Sequence, residues 1–164
     1  MERLSKAFYL GSFLGAGILG WVLCAVGWFI WPLLIIAIPL LIYVAVVYYL
    51  FIYKAWESIQ DGHARTGPCK AVGFLFIPFF NFYWIFVAHW GFAKDYNLYI
   101  SRHRLDTASK LPEGLFLAYP ILILVSLIPF VNIATSLAAL IIFAVIIDRT
   151  CDAVNALPSA SATQ

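Results

Sequence analysis

The chain has 164 residues, 64% of them hydrophobic and 11% charged, with a net charge of +2 and a mean hydropathy of +0.94. Soluble domains carry about a quarter charged residues, so the composition excludes an ordinary soluble domain, and the small net charge gives no reason to expect a nucleic-acid partner. Cys24, Cys69 and Cys151 are scattered, without a CxxC pair or a metal-ligand neighbour, so neither a disulfide framework nor a metal site nor a cofactor is expected.

The expected fold class is all-α: a polytopic integral membrane protein built of helical hairpins, with four to six membrane helices. One helical domain is expected over residues 1–157, and a disordered polar tail over 158–164. Arg3 and Lys6 precede an apolar run, Phe8–Trp31, that is too long for a signal-peptide core of about 7–15 residues. It reads as a retained first membrane helix, long enough for an apolar layer of about 30 Å. Gly11, Gly15 and Gly20 recur along one face, where small residues let helix backbones approach closely. That face packs either on the chain's own helices or on a second copy.

Trp31-Pro32 marks a turn, and Leu33–Tyr53 reads as the second membrane helix, with Pro39 as a possible kink site. Trp28 and Trp31 at one end, and Tyr48, Tyr49, Tyr53 and Trp56 at the other, match two interfacial aromatic belts. Lys54–Lys70 is polar. Asp61-Gly62 is expected to stop the preceding helix, and Thr66 or Gly67 to cap a new one with Pro68 at its first position.

The stretch Phe74–Asn97 is broken at Ile77-Pro78-Phe79-Phe80-Asn81, and the break returns 51 residues later as Ile128-Pro129-Phe130-Val131-Asn132. At this offset seven of 24 positions are identical, including Ala88 with Ala139 and Phe92 with Phe143, which suggests an internal repeat. Leu115–Ile147 has no charge, yet as one straight helix it would measure about 50 Å. A third hairpin, turning at Pro129 to Asn132, is therefore expected. In both breaks the asparagine side chain is expected to bond backbone groups freed by the proline; a substrate-binding role is the alternative.

The lysines and arginines cluster at the N-terminus, in Lys54–Lys70, in Lys94–Lys110 and at Arg149. Positively charged loops stay cytoplasmic. Three hairpins with both termini cytoplasmic satisfy that rule. Ala71–Ile77 is too short to cross, so the second hairpin reads as re-entrant or spanning.

The run from Tyr53 to Pro68, followed by Ala71–Phe86 and Gly91–Asn97, resembles a family of uncharacterised bacterial multi-pass membrane proteins. Some relatives carry a soluble GYF-like domain before the membrane part, and no counterpart to it is expected here. The resemblance implies a bacterial inner-membrane protein and carries no activity with it.

His89 is the one ionisable side chain, tyrosines aside, inside an apolar stretch, which makes it a functional candidate; the alternative is a neutral histidine hydrogen-bonded to a neighbour. Arg65 and Lys70 flank the expected helix start at Pro68, a pattern that suits a lipid phosphate or simple interfacial anchoring. No P-loop, GxGxxG, HExxH or GxSxG motif occurs, so no enzyme is expected. The leading expectation is a membrane scaffold or assembly protein that contacts lipid headgroups, another membrane protein or itself. The alternative is a small channel or transporter with its pathway near the two breaks.

Overall fold

A computed structural model describes residues 3–27, 30–105 and 108–157. These are helical, with no strand among them. Trp28, Asp106 and the expected tail 158–164 lie outside the described residues. The chain forms two compact units: Ser5–Phe51, and Leu4 together with the chain from Ile52 onward.

In the first unit, α1 spans residues 6–27 as one uninterrupted helix. Its middle, Gly11–Ala16, widens into π turns. The Ser5 side chain accepts from the Phe8 N–H at 3.3 Å and caps its start. A single 3₁₀ turn, Trp31–Leu33, with Pro32 where its missing N–H is harmless, leads into α2, Leu34–Glu57. Within this unit the helices pair antiparallel. Tyr9 meets Phe51 edge-on at 5.4 Å, and Ser12 Oγ and Tyr43 Oη share a hydrogen bond of 2.7 Å.

The close approach does not run through the expected glycines alone. A Cβ on Gly20 would lie 2.8 Å from a Leu41 methyl, and one on Gly27 would lie 2.7 Å from Leu34. A Cβ on Gly11 or Gly15 would meet nothing within 4 Å. Of the expected stripe, only Gly20 packs closely within the chain, while Gly11 and Gly15 are exposed. Elsewhere the helices leave large apolar side chains exposed, among them Ile18, Leu19, Trp21, Ile35, Ile36 and Ile42.

The second unit is two helical hairpins. α3, Pro68–Gly73, starts at Gly67 with Pro68 in its first turn and tightens into a 3₁₀ turn at Phe74–Phe76. α4 runs uninterrupted over residues 80–102, with π turns at Val87–Gly91. The second hairpin is α5, Glu113–Val125, and α6, Asn132–Asn155. Each hairpin therefore has a short first arm and a long second arm.

Ring contacts set the register. α5 runs antiparallel to α4, with Tyr119 against His89 at 4.7 Å and Phe116 against Phe92 at 6.3 Å. α4 and α6 run in the same direction, because His89 meets Phe143 while the Tyr96 hydroxyl donates to the Ala153 carbonyl at 2.9 Å. Both hairpin turns thus lie at one end of this unit, and the charges of α4 and α6 at the other. The core between them contains Trp56, Tyr96, Phe116, Phe143 and Ile146, all essentially inaccessible. Trp56 Nε1 donates to the Ala88 carbonyl at 3.1 Å within the π turns, where the carbonyl ladder is loosened. Trp84 Nε1 donates to the Ala71 carbonyl at 3.0 Å and ties the short arm to the long one.

Candidate functional site

Each of the two proline turns places a phenylalanine at positive φ. Phe79 has φ 63° and ψ −40°, and the Phe80 N–H donates to the Pro78 carbonyl at 2.7 Å, which makes a γ-turn with positive φ. Phe130, its counterpart in the repeat, has φ 74°. Side chains crowd the backbone in this region, at a cost of about 1–3 kcal/mol. Both rings point away from the core, at 84% and 102% exposure.

Asn81 and Asn132 follow these turns but do not close them as expected. The carbonyls one turn before the prolines, Phe74 and Val125, are taken by the backbone N–H groups of Ile77 at 3.4 Å and Ile128 at 3.0 Å. The Asn81 Oδ1 atom is buried without a hydrogen-bond partner, and Asn132 is exposed. Backbone N–H groups satisfy these carbonyls locally, so the asparagine side chains are not needed for them. His89 is buried at 3% exposure between Tyr119 and Phe143, inside the π turns of α4.

Polar chemistry gathers at the opposite end of the second unit. Asp95 lies within α4 and is only 8% exposed. It accepts the backbone N–H of Arg65 at 2.8 Å on Oδ2, and Arg65 Nε and Nη2 at 2.9 and 2.7 Å on Oδ1. Gly91 makes room for that guanidinium: a Cβ there would stand 3.4 Å from Arg65 Cδ and Nη1. Arg65 is therefore committed to a carboxylate, whereas Lys70 sits exposed on α3.

Beside this pair, Asp61 accepts from the His63 backbone N–H at 2.9 Å, from Arg102 Nη1, and contacts His103 Nε2 at 3.2 Å. Burial opposes its ionisation, but the His63 N–H, Arg102 and His103 outweigh it and hold the carboxyl down at about 2. Gly62, at φ 84°, lets the chain reverse directly after it.

A wider cleft, about 390 Å³, opens next to the Arg65–Asp95 pair and is lined by Arg65, Lys94, Asn97, Leu98, Ser101, Lys110 and Glu113. Asn97 builds its wall. Its Oδ1 accepts the Leu111 N–H at 2.8 Å, and its Nδ2 donates to the Leu111 carbonyl at 3.0 Å and to Glu113 Oε1 at 3.1 Å. The amide thus mimics a peptide and pins the loop that carries Lys110 to α4. Lys94 lies over the Trp90 ring, with Nζ 3.4 Å from its centroid.

Sequence reasoning picked out Arg65 but missed Asp95, Asn97, Lys94 and Lys110. The signal for Asp95 was the polar pair Lys94-Asp95 directly after an apolar run. The long-range partners of Asn97 left none. Comparisons with family models, with curated proteins and with solved structures find no match to this chain.

Proposed function

We propose that the chain is a multi-pass integral membrane protein with a non-enzymatic scaffold or assembly role, holding lipid headgroups or another membrane protein. The observation that carries this reading is the first unit. Its two helices, Lys6–Cys24 and Trp31–Glu57, are long and apolar enough to cross a bilayer, yet only 17% and 11% of their apolar windows are buried. The core helix of a soluble protein would be mostly covered; here Ile, Leu, Val and Trp side chains need an apolar solvent.

The second unit fits the same solvent in a different way. From Phe80 to Lys94 α4 rises about 21 Å, and from Asn132 to Asp148 α6 rises about 24 Å, short of an apolar layer of about 30 Å. The exposed Phe76, Ile77, Phe79, Leu127, Ile128 and Phe130 surround the turns. In this reading both hairpins are re-entrant: they enter from the cytoplasmic side, turn inside the layer and leave where they entered. Both termini are then cytoplasmic. Assignment to a bacterial inner membrane rests on the resemblance over Tyr53–Asn97.

A scaffold role is supported by how the charges are used. Asp95 and Asp61 are tied to Arg65, Arg102 and His103, pairings that build structure. One observation favours a channel instead: the unpartnered Asn81 Oδ1 beside a broken helix, where transporters place their sites. Alkaline extraction of membranes from cells making the full chain tests the membrane reading. Retention in the pellet is expected, and release would contradict it. Reconstitution into liposomes separates the two roles: a scaffold gives no ion or solute flux, and a channel does.

A further inference from the structure

We propose that the cleft between α4 and the loop before α5 is a binding site for a phosphate group, carried either by an anionic phospholipid or by a free phosphate. The inference deepens the membrane reading above and rests on it for the lipid source alone.

Three cations, Arg65, Lys94 and Lys110, line one open cavity of about 390 Å³ that contains a single lining carboxylate, Glu113. Such a volume lies in the range of small-ligand sites. The Arg65 charge is balanced by Asp95, leaving two lysines against one glutamate, a local positive excess of one. The cations come from three separate places in the sequence. Arg65 is anchored on Asp95 and Lys94 lies along Trp90, while for Lys110 the Asn97–Leu111 pairing pins the adjacent backbone. Long cationic side chains held by their neighbours lose less entropy on meeting an anion than free ones do.

The remaining lining suits a phosphate ester. Ser101 lines the cleft with its hydroxyl donating to the Asn97 carbonyl at 2.8 Å, and Leu98, 58% exposed, adds an apolar edge for a glycerol or acyl segment. Lys70, the other cation expected to take part, is not among the lining residues. The cleft also lies where α4 passes from an apolar run into charged sequence, the depth at which phospholipid phosphates stand in the membrane reading.

The test uses the full chain in neutral detergent, followed by thermal melting against dihexanoyl phosphatidylglycerol, dihexanoyl phosphatidylcholine and inorganic phosphate. Phosphatidylglycerol alone raising the melting temperature would identify a lipid headgroup site. A rise with inorganic phosphate as well would identify a site for free phosphate. Either supports the proposal. The double variant K94Q/K110Q should bind about 25-fold more weakly, at about fivefold for each cation removed. E113Q keeps an oxygen to accept from Asn97 and loses the opposing charge, so it should bind about fivefold more tightly. E113Q also decides the matter if the double lysine variant does not fold. No anion-dependent stabilisation of the wild type, or unchanged affinity in E113Q, overturns the site. A chain released by alkaline extraction would defeat the membrane reading while leaving the inorganic phosphate arm to decide the cleft.

Discussion

Phe79 and Phe130 stand 51 residues apart and share a positive φ, at 63° and 74°. Each follows a proline, each is fully or largely exposed, and each stands one or two residues before the long arm of a hairpin. Ala88 and Ala139, at the same offset, are both 3% exposed, and Phe92 and Phe143 are both core. The repeat is therefore one of shape as well as of letters. A helix arrives, proline ends it, a phenylalanine turns the chain at positive φ, and a longer helix departs.

This geometry sets the first expectation. A Cβ at positive φ is strained, by about 1–2 kcal/mol relative to glycine. The exposed Phe79 ring gives up little packing within the chain when removed. Phe79→Gly should therefore melt above Phe79→Ala in detergent, and Phe130→Gly above Phe130→Ala. Equal melting temperatures within each pair would show that the turn relaxes.

Asn81 yields a prediction opposite to the one its position suggests. Its Oδ1 is buried with no partner, a burden of about 1–3 kcal/mol. Asn81→Leu should leave thermal stability unchanged or raise it, and Asn132→Leu, at an exposed site, should be near neutral in detergent. A clear loss for Asn81→Leu would mean that the oxygen has a partner in the membrane.

The glycines of α1 separate sharply. Gly20→Leu drives a side chain into Leu41, and overpacking of this kind costs about 1–3 kcal/mol. Gly15→Leu meets open space and should melt like the wild type. Thermal melting of the two variants side by side checks this.

What could be read in advance depended on the range of the interaction. The helix expected to stop at Asp61-Gly62 already ends at Glu57, but the start at Pro68 and the two turns at Pro78 and Pro129 follow from local backbone rules. They were legible because proline and glycine act on their own neighbours. Arg65 was legible as a cation but not as the partner of Asp95, thirty residues away along the chain. The role of Asn97 depends on a loop fourteen residues further on, and no spacing rule announces it. Within the chain the glycine stripe packs only at Gly20, because residues spaced by four drift around the axis of a helix.

Asp61 carries a pH dependence. Its pKa is lowered in the fold from 3.8 to about 2, so it binds protons less readily folded than unfolded. Its contribution to stability is full above about pH 4 and is lost as pH falls toward 2. Melting temperature should drop across that window, and the drop should be smaller in Asp61→Asn. An identical acid profile in the variant would remove Asp61 from the account.

The re-entrant arrangement is tested most directly by cysteine labelling in whole cells. Cys24, Cys69 and Cys151 would be replaced, and single cysteines placed at Trp31, Ser101 and Phe130. An impermeant maleimide should label the Trp31 site from outside and the Ser101 site only after permeabilisation. The Phe130 site, inside the layer, should stay unlabelled in both conditions. Labelling of Ser101 from outside intact cells would contradict hairpins that enter and leave on the cytoplasmic side.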